Sequence, residues 1–209
     1  MEKHELTRWQ QFYADSTNLV DISPSACANQ AAQIFAGNNS RLILDLGCGT
    51  GRDSLQLAQN DATVLGVDAA RSGLLLAQKR AAAAPLELSW VESDCRVLPF
   101  SNGQFDGVYC FGLLHEFVGE TAVTDVQQTM SEIYRVLQDG GTAVVAVSAG
   151  DPEKGLPHVQ NFSEVMFNAT ITQFDCLEKK IYDDLGCTGR SDYKVWFGHL
   201  KKGGRYDEK

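Results

Sequence analysis

The stretch richest in possible chemistry is LDLGCGTG, residues 44–51. A short apolar run leads into Gly47, Gly49 and Gly51, spaced i, i+2, i+4. Backbone without side chains at such a turn lets a ligand come close to main-chain N–H groups. A dinucleotide fingerprint, G-x-G-x-x-G, would place its third glycine at position 52, where Arg52 stands. A phosphate-binding P-loop would need Gly-Lys-Ser/Thr at its end, which is absent. Asp68 closes the next apolar run, where a carboxylate accepts from ribose hydroxyls in open α/β sheets; a plain strand-end or helix-capping Asp is the alternative. Asp94 follows a third run, in VESDC. It can accept from an exocyclic adenine amine, while the Cys95 N–H donates to a ring nitrogen. Together these pieces describe an adenosine site at the carboxyl ends of three parallel strands.

Positioning such a site takes alternating strands and helices. Residues 4–14 read as a helix bringing Trp9, Phe12 and Tyr13 together, and Pro24 as an early residue of a second helix to about Phe35. Strands are expected at 41–46, 62–67, 86–91, 105–111 and 142–147, from short apolar or alternating runs. Helices are expected at 53–59 and 74–84. A longer one carries Val123, Val126, Met130, Ile133 and Leu137 at helical spacing and ends at Gly140-Gly141. Apolar strands alternating with amphipathic helices imply a parallel sheet covered on both faces. Two late strand-like runs, 172–182 and 193–200, flank a hairpin-type link, 183–192, that holds Gly186 and Gly189; the polar tail 201–209 reads as frayed.

The chain has 209 residues, 44% hydrophobic and 22% charged, with a formal net charge of -9. That is one ordinary α/β domain by size and composition. The acidity disfavours nucleic acid and anionic membrane as partners. Polar residues interrupt every apolar run short of a membrane span, and MEKHELTRWQ has no secretory core, so a cytoplasmic protein is expected. Six cysteines without a C-x-x-C pair suit reduced thiols and no metal site.

In this order, LDLGCGTG, VLGVDAARSGLLLA, DCRVLPF, FDGVYC and YRVLQDGG resemble the successive motifs of class I S-adenosylmethionine (SAM)-dependent methyltransferases. The resemblance is close over 40–148 and loose elsewhere. Two departures stand out: Ala70 replaces the family's helix-capping Ser, and Gln138-Asp139 replaces Lys-Pro. The family implies a Rossmann-like seven-stranded sheet of order 3-2-1-4-5-7-6, with strand 7 antiparallel and helices on both faces. It implies one domain over 1–209: N-terminal helices or lid at 1–36, SAM-binding core at 40–148, acceptor-side segment and last two strands at 149–200, and the tail. By the same resemblance Asp45, Gly47, Cys48, Gly49 and Gly51 hold the methionine moiety, Asp68 and Ala69 the ribose, and Asp94 and Cys95 the adenine. Carbonyls near Cys110 and Phe111 face the methionine ammonium. Arg52 approaches the methionine carboxylate or faces solvent.

Methyl transfer from a sulfonium is an in-line displacement, so much of catalysis comes from holding the acceptor roughly 3 Å from the methyl and excluding water. S-adenosylhomocysteine is the co-product. A base is needed only where the acceptor must lose a proton. His115, in GLLHEF, is the nearest candidate, with packing as its alternative. Trp9, Tyr13, His158 and Phe162 are candidate acceptor contacts, each with a packing alternative. The short acceptor-side segments suit a small-molecule acceptor, handled by a monomer or homodimer. The competing readings are a protein side-chain methyltransferase, a non-catalytic SAM-binding regulator, and an oxidoreductase, which the Arg52 spacing opposes.

Overall fold

The computed structural model describes residues 3–15, 23–82, 84–154, 158–183 and 193–203. The link 184–192 and the tail from 204 lie outside these. In chain order the elements are α1 (Lys3–Ala14), α2 (Ala26–Gly37), β1 (Leu42–Leu46), α3 (Arg52–Leu57), β2 (Thr63–Asp68), α4 (Arg71–Ala81), β3 (Leu88–Glu92), β4 (Phe105–Phe111), α5 (Ala122–Val136), β5 (Leu137–Ala149), α6 (Glu164–Thr170), β6 (Asp175–Asp183) and β7 (Lys194–Lys201). One sheet runs β3-β2-β1-β4-β5-β7-β6. The first four pairings are parallel, and β7 is antiparallel to both neighbours. The expected sheet order and strand directions are present.

Alternate residues of the central strands feed two separate cores. Ala143, Val145 and Val147 of β5 join Val126, Met130 and Ile133 of α5 on one face. Val144 and Ala146 join Ala28, Ala31 and Phe35 of α2 on the other. A strand buried on both sides must be apolar throughout, which is why Ala143–Val147 has no polar residue. Each fully buried Val, Ile or Met contributes about 1.5–3 kcal/mol relative to exposure.

Element ends differ from expectation in three informative places. Pro24 stands outside its helix: Ser25 is the N-cap of α2, its Oγ accepting from the Ala28 N–H. Helix α4 begins at Arg71, with Leu74 in its first turn. Helix α5 ends at Val136, not at the glycine pair, because Leu137 turns extended and pairs with Phe105. Gly140, at φ 77°, then bends the new strand, its N–H donating to the Lys202 carbonyl.

A tryptophan sets the floor beneath the glycine turn. A Cβ on Gly66 of β2 would lie 2.5 Å from the Trp90 ring and 2.9 Å from Cys48 Sγ. A Cβ on Gly51 would meet the same ring at 2.5 Å. Trp90, from β3, therefore occupies space that only glycine leaves open. Gly66→Ala is expected to destabilise the protein by about 1–3 kcal/mol through overpacking. Trp90→Leu in the same chain should recover part of that loss, both measured by urea unfolding.

Candidate active site

The carboxyl ends of β1, β2, β3 and β4 open into a cavity of about 500 Å³, within the usual range for small-molecule sites. A parallel sheet aims all these strand ends the same way, so residues distant in sequence converge there.

Asp45, near the end of β1, is buried and takes a 2.5 Å hydrogen bond from Ser54 Oγ. Burial pushes its carboxyl up to about 7, with nearby Asp53 and Asp68 adding to the rise and the Ser54 bond opposing it. Asp68, ending β2, accepts from the Gly49 N–H at 2.8 Å and the Ala70 N–H at 2.7 Å. Burial raises its carboxyl as well, moderated by those backbone donors. The Asp94 carboxylate is engaged by Arg96, whose Nη2 donates at 2.7 Å, and Arg96 in turn reaches Asp125. Cys95 lies beside Thr129, and burial lifts its thiol to about 12.

Helix α1 roofs this floor. A Cβ on Gly49 would stand 2.6 Å from the Tyr13 hydroxyl, so the ring rests directly on the glycine turn. Tyr13 stacks on Trp9, with centroids 5.3 Å apart. Two polar ties hold the roof. Arg8 pairs with Glu116 in a 3-10 turn after β4. Gln10 Oε1 accepts the Ser72 N–H at 3.0 Å, while Ser72 Oγ donates to the Gln10 carbonyl at 2.9 Å. Ala70, the N-cap of α4, offers no side-chain cap. Gln10 thus takes over, from another helix, the donor that the missing Ser would have capped.

His115 is buried, and its Nδ1 accepts the Ser148 N–H at 3.0 Å. Its carbonyl accepts the Gln160 N–H at 2.7 Å, which ties the acceptor-side segment to this turn. Burial drops the imidazole to about 4, so it is neutral at neutral pH. With Nδ1 accepting, the ring proton sits on Nε2, 3.7 Å from Glu116 Oε1.

Asp45, Gly47, Cys48, Gly49, Arg52, Asp68, Ala69, Asp94, Cys95, Phe111, His115, Trp9, Tyr13 and His158 all line the cavity. Gly51, Cys110 and Phe162 do not. Gly51 backs onto Trp90. Cys110 is wholly buried in the sheet. Phe162 is a core residue whose carbonyl accepts from Trp196 Nε1 at 2.9 Å, so its packing alternative holds. The sequence reading missed four contributors. Asp53 and Tyr109 line the cavity and join Ser25 in a buried network, with the Tyr109 hydroxyl donating to Asp53 at 3.1 Å. Glu116 and Arg8 form the roof tie. Only Glu116, next to His115, carried any signal in the sequence.

Comparison with known proteins agrees with this geometry. Residues 43–141 match the family model described as a methyltransferase domain. A segment of 116 residues is 38% identical to a demethylmenaquinone methyltransferase of Thermus thermophilus, covering 54% of this chain and 49% of that protein. The chain thus spans about half the length of that curated relative. Among solved structures, the N-methyltransferase NodS of Bradyrhizobium japonicum, in complex with S-adenosylhomocysteine, superposes with TM-score 0.72 at 16% identity, covering 95% of this chain and 98% of that one. The Burkholderia thailandensis 1,6-didemethyltoxoflavin-N1-methyltransferase gives TM-score 0.68 at 17% identity, covering 97% of this chain and 91% of that one. Residues 43–141 thus resemble a methyltransferase domain, and the chain has the fold of these methyltransferases.

The buried carboxylates suit a cofactor that brings a sulfonium and an ammonium. A cation favours ionised Asp45, so binding expels its proton below pH about 7. SAM affinity is expected to rise with pH up to about 7 and level off above, falling toward tenfold per pH unit on the acid side. Calorimetry across pH 5.5–8 checks this, and Asp45→Asn should reduce the slope. In the ligand-free fold the raised carboxyl works against stability. Its contribution is most favourable below the ordinary value of 3.8 and is lost as pH rises to about 7. Asp45→Asn should therefore raise the ligand-free melting temperature at pH 8 by at least about 2 °C while weakening SAM binding.

Gln10→Ala removes the borrowed cap. A loss of about 1 kcal/mol of stability is expected, with faster amide exchange in the first turn of α4 and along α1.

Proposed function

We propose that this protein transfers the methyl group of S-adenosylmethionine to a small-molecule acceptor. The observation that carries the proposal is one roofed cavity in which strand-tip carboxylates and an aromatic helix face the same space. Asp45 and the Gly47–Gly49 turn would hold the methionine part, with Arg52 beside its carboxylate. Asp68 and Ala69 would hold the ribose, and Asp94 and Cys95 the adenine. When bound, SAM supplies a methyl carbon on a good leaving group. The chain's part is to orient the acceptor in line and keep water out.

Trp9, Tyr13 and His158 are the residues we assign to the acceptor side. The roof favours a small acceptor over a protein side chain, since Arg8–Glu116 and Gln10–Ser72 draw α1 across the opening. The names of the Thermus relative and the Burkholderia neighbour, both small-molecule methyltransferases, support the same reading. No helix among the described residues is long and apolar enough to cross a membrane.

Incubation of the protein with methyl-labelled SAM and cell extract, followed by fractionation, tests the proposal. Label is expected in the small-molecule fraction with matching S-adenosylhomocysteine. Label mainly in protein or RNA would overturn the acceptor class. Tight SAM binding with no S-adenosylhomocysteine formed with any fraction would favour a non-catalytic SAM-binding regulator.

A further inference from the structure

Tyr13 carries the roof's contact with the glycine turn. Its hydroxyl lies 2.6 Å from the place a Cβ on Gly49 would take, and its ring edge 3.0 Å from the place a Cβ on Gly73 of α4 would take. Two glycines on two elements therefore make room for one phenol. The ring has its own support, stacking on Trp9 and meeting Phe12 edge-on with centroids 5.3 and 5.5 Å apart. The hydroxyl has no such support. Tyr13 lines the cavity, and its hydroxyl makes no hydrogen bond to any described residue. A phenol enclosed without a partner costs folding free energy that Phe would avoid. Burial lifts this phenol well above its ordinary value, with Asp68 adding to the rise and Arg52 opposing it, so the O–H stays protonated and can donate at neutral pH.

The charges around it narrow what it meets. Asp45, Asp53, Asp68, Asp94 and Glu116 line the cavity, and Arg52 is the one arginine or lysine among the described residues that does. A ribose has Asp68 to meet it, and an ammonium has Asp45. An anion brought onto the glycine turn has Arg52, the first residue of α3, and the Tyr13 hydroxyl on the same turn. We propose that the Tyr13 hydroxyl donates to the carboxylate of the cofactor's methionine part, so that helix α1 closes on a loaded cofactor. This rests on the methyltransferase reading and adds a cofactor-binding residue from the roof. The ring of Tyr13 stays with Trp9 on the acceptor side, while its hydroxyl belongs to the cofactor. Arg8 and Gln10 tie down the same helix. Recognition of the carboxylate and closure of the roof are then one event, and a nucleoside lacking the carboxylate leaves α1 less firmly held.

Calorimetry with two probes tests this: S-adenosylhomocysteine, and 5′-(3-aminopropylthio)-5′-deoxyadenosine, which is the same molecule without its carboxylate. Tyr13→Phe keeps the ring and its stacking on Trp9. One hydrogen bond to a charged group predicts that this change weakens S-adenosylhomocysteine by about tenfold or more, and the decarboxylated probe by less than about twofold. Ligand-free Tyr13→Phe should melt no lower than wild type, since the hydroxyl it removes holds nothing in the fold. In wild type, S-adenosylhomocysteine should slow amide exchange along α1 more than the decarboxylated probe does. An equal loss of affinity for both probes, unchanged affinity for S-adenosylhomocysteine, a lower ligand-free melting temperature, or equal protection of α1 by the two probes would each overturn the proposal. Wild type that binds neither probe would instead sink the methyltransferase reading beneath it.

Discussion

Two carboxylates at the tips of adjacent parallel strands, Asp45 buried and Asp68 half-buried, impose the main constraint on this protein. Burial raises both carboxyls, and the neighbouring Asp68 adds to the rise at Asp45. A parallel sheet supplies the partial remedy. The turn after β1 curls back so that the Gly49 N–H meets Asp68, and Ser54 in the next helix meets Asp45. The remaining deficit is one of positive charge, and a sulfonium with an ammonium has what is missing.

The roof depends on that floor. Tyr13 can rest on the turn only because Gly49 lacks a side chain, and Trp90 can lie beneath it only because Gly51 and Gly66 lack theirs. The glycine cluster serves packing from above and below as well as ligand approach from the side. Helix α1 then repairs a defect elsewhere. Where Ala70 leaves α4 uncapped, Gln10 reaches over and accepts the Ser72 N–H. The substitution that departs from the family pattern is thus coupled to the placement of the aromatic lid.

The acceptor end is decided by backbone partners. A histidine beside a substrate cavity invites assignment as a base, yet the Ser148 N–H claims one nitrogen and burial keeps the ring neutral. What it offers is a directed donor. Next to it stands the Glu116 carboxylate. Its orientation comes from an arginine more than a hundred residues upstream.

Much of the fold was legible in the residues. Period-two and continuous apolar runs marked the strands, and the glycine turn with Asp68 and Asp94 marked the strand ends that meet at the cavity. Boundaries were harder, because Leu137 leaves the helix only when Phe105 is there to pair with it. Sequence by itself determined the order of elements, the glycine turn and the strand-tip carboxylates, since these follow from local periodicity and from what a backbone without side chains allows. Tertiary structure alone decided that Phe162 is core, that Gln10 caps α4, that His115 Nδ1 accepts from Ser148, and that Arg8 meets Glu116. Each of those rests on a partner distant in the chain, and no local pattern encodes which partner will arrive.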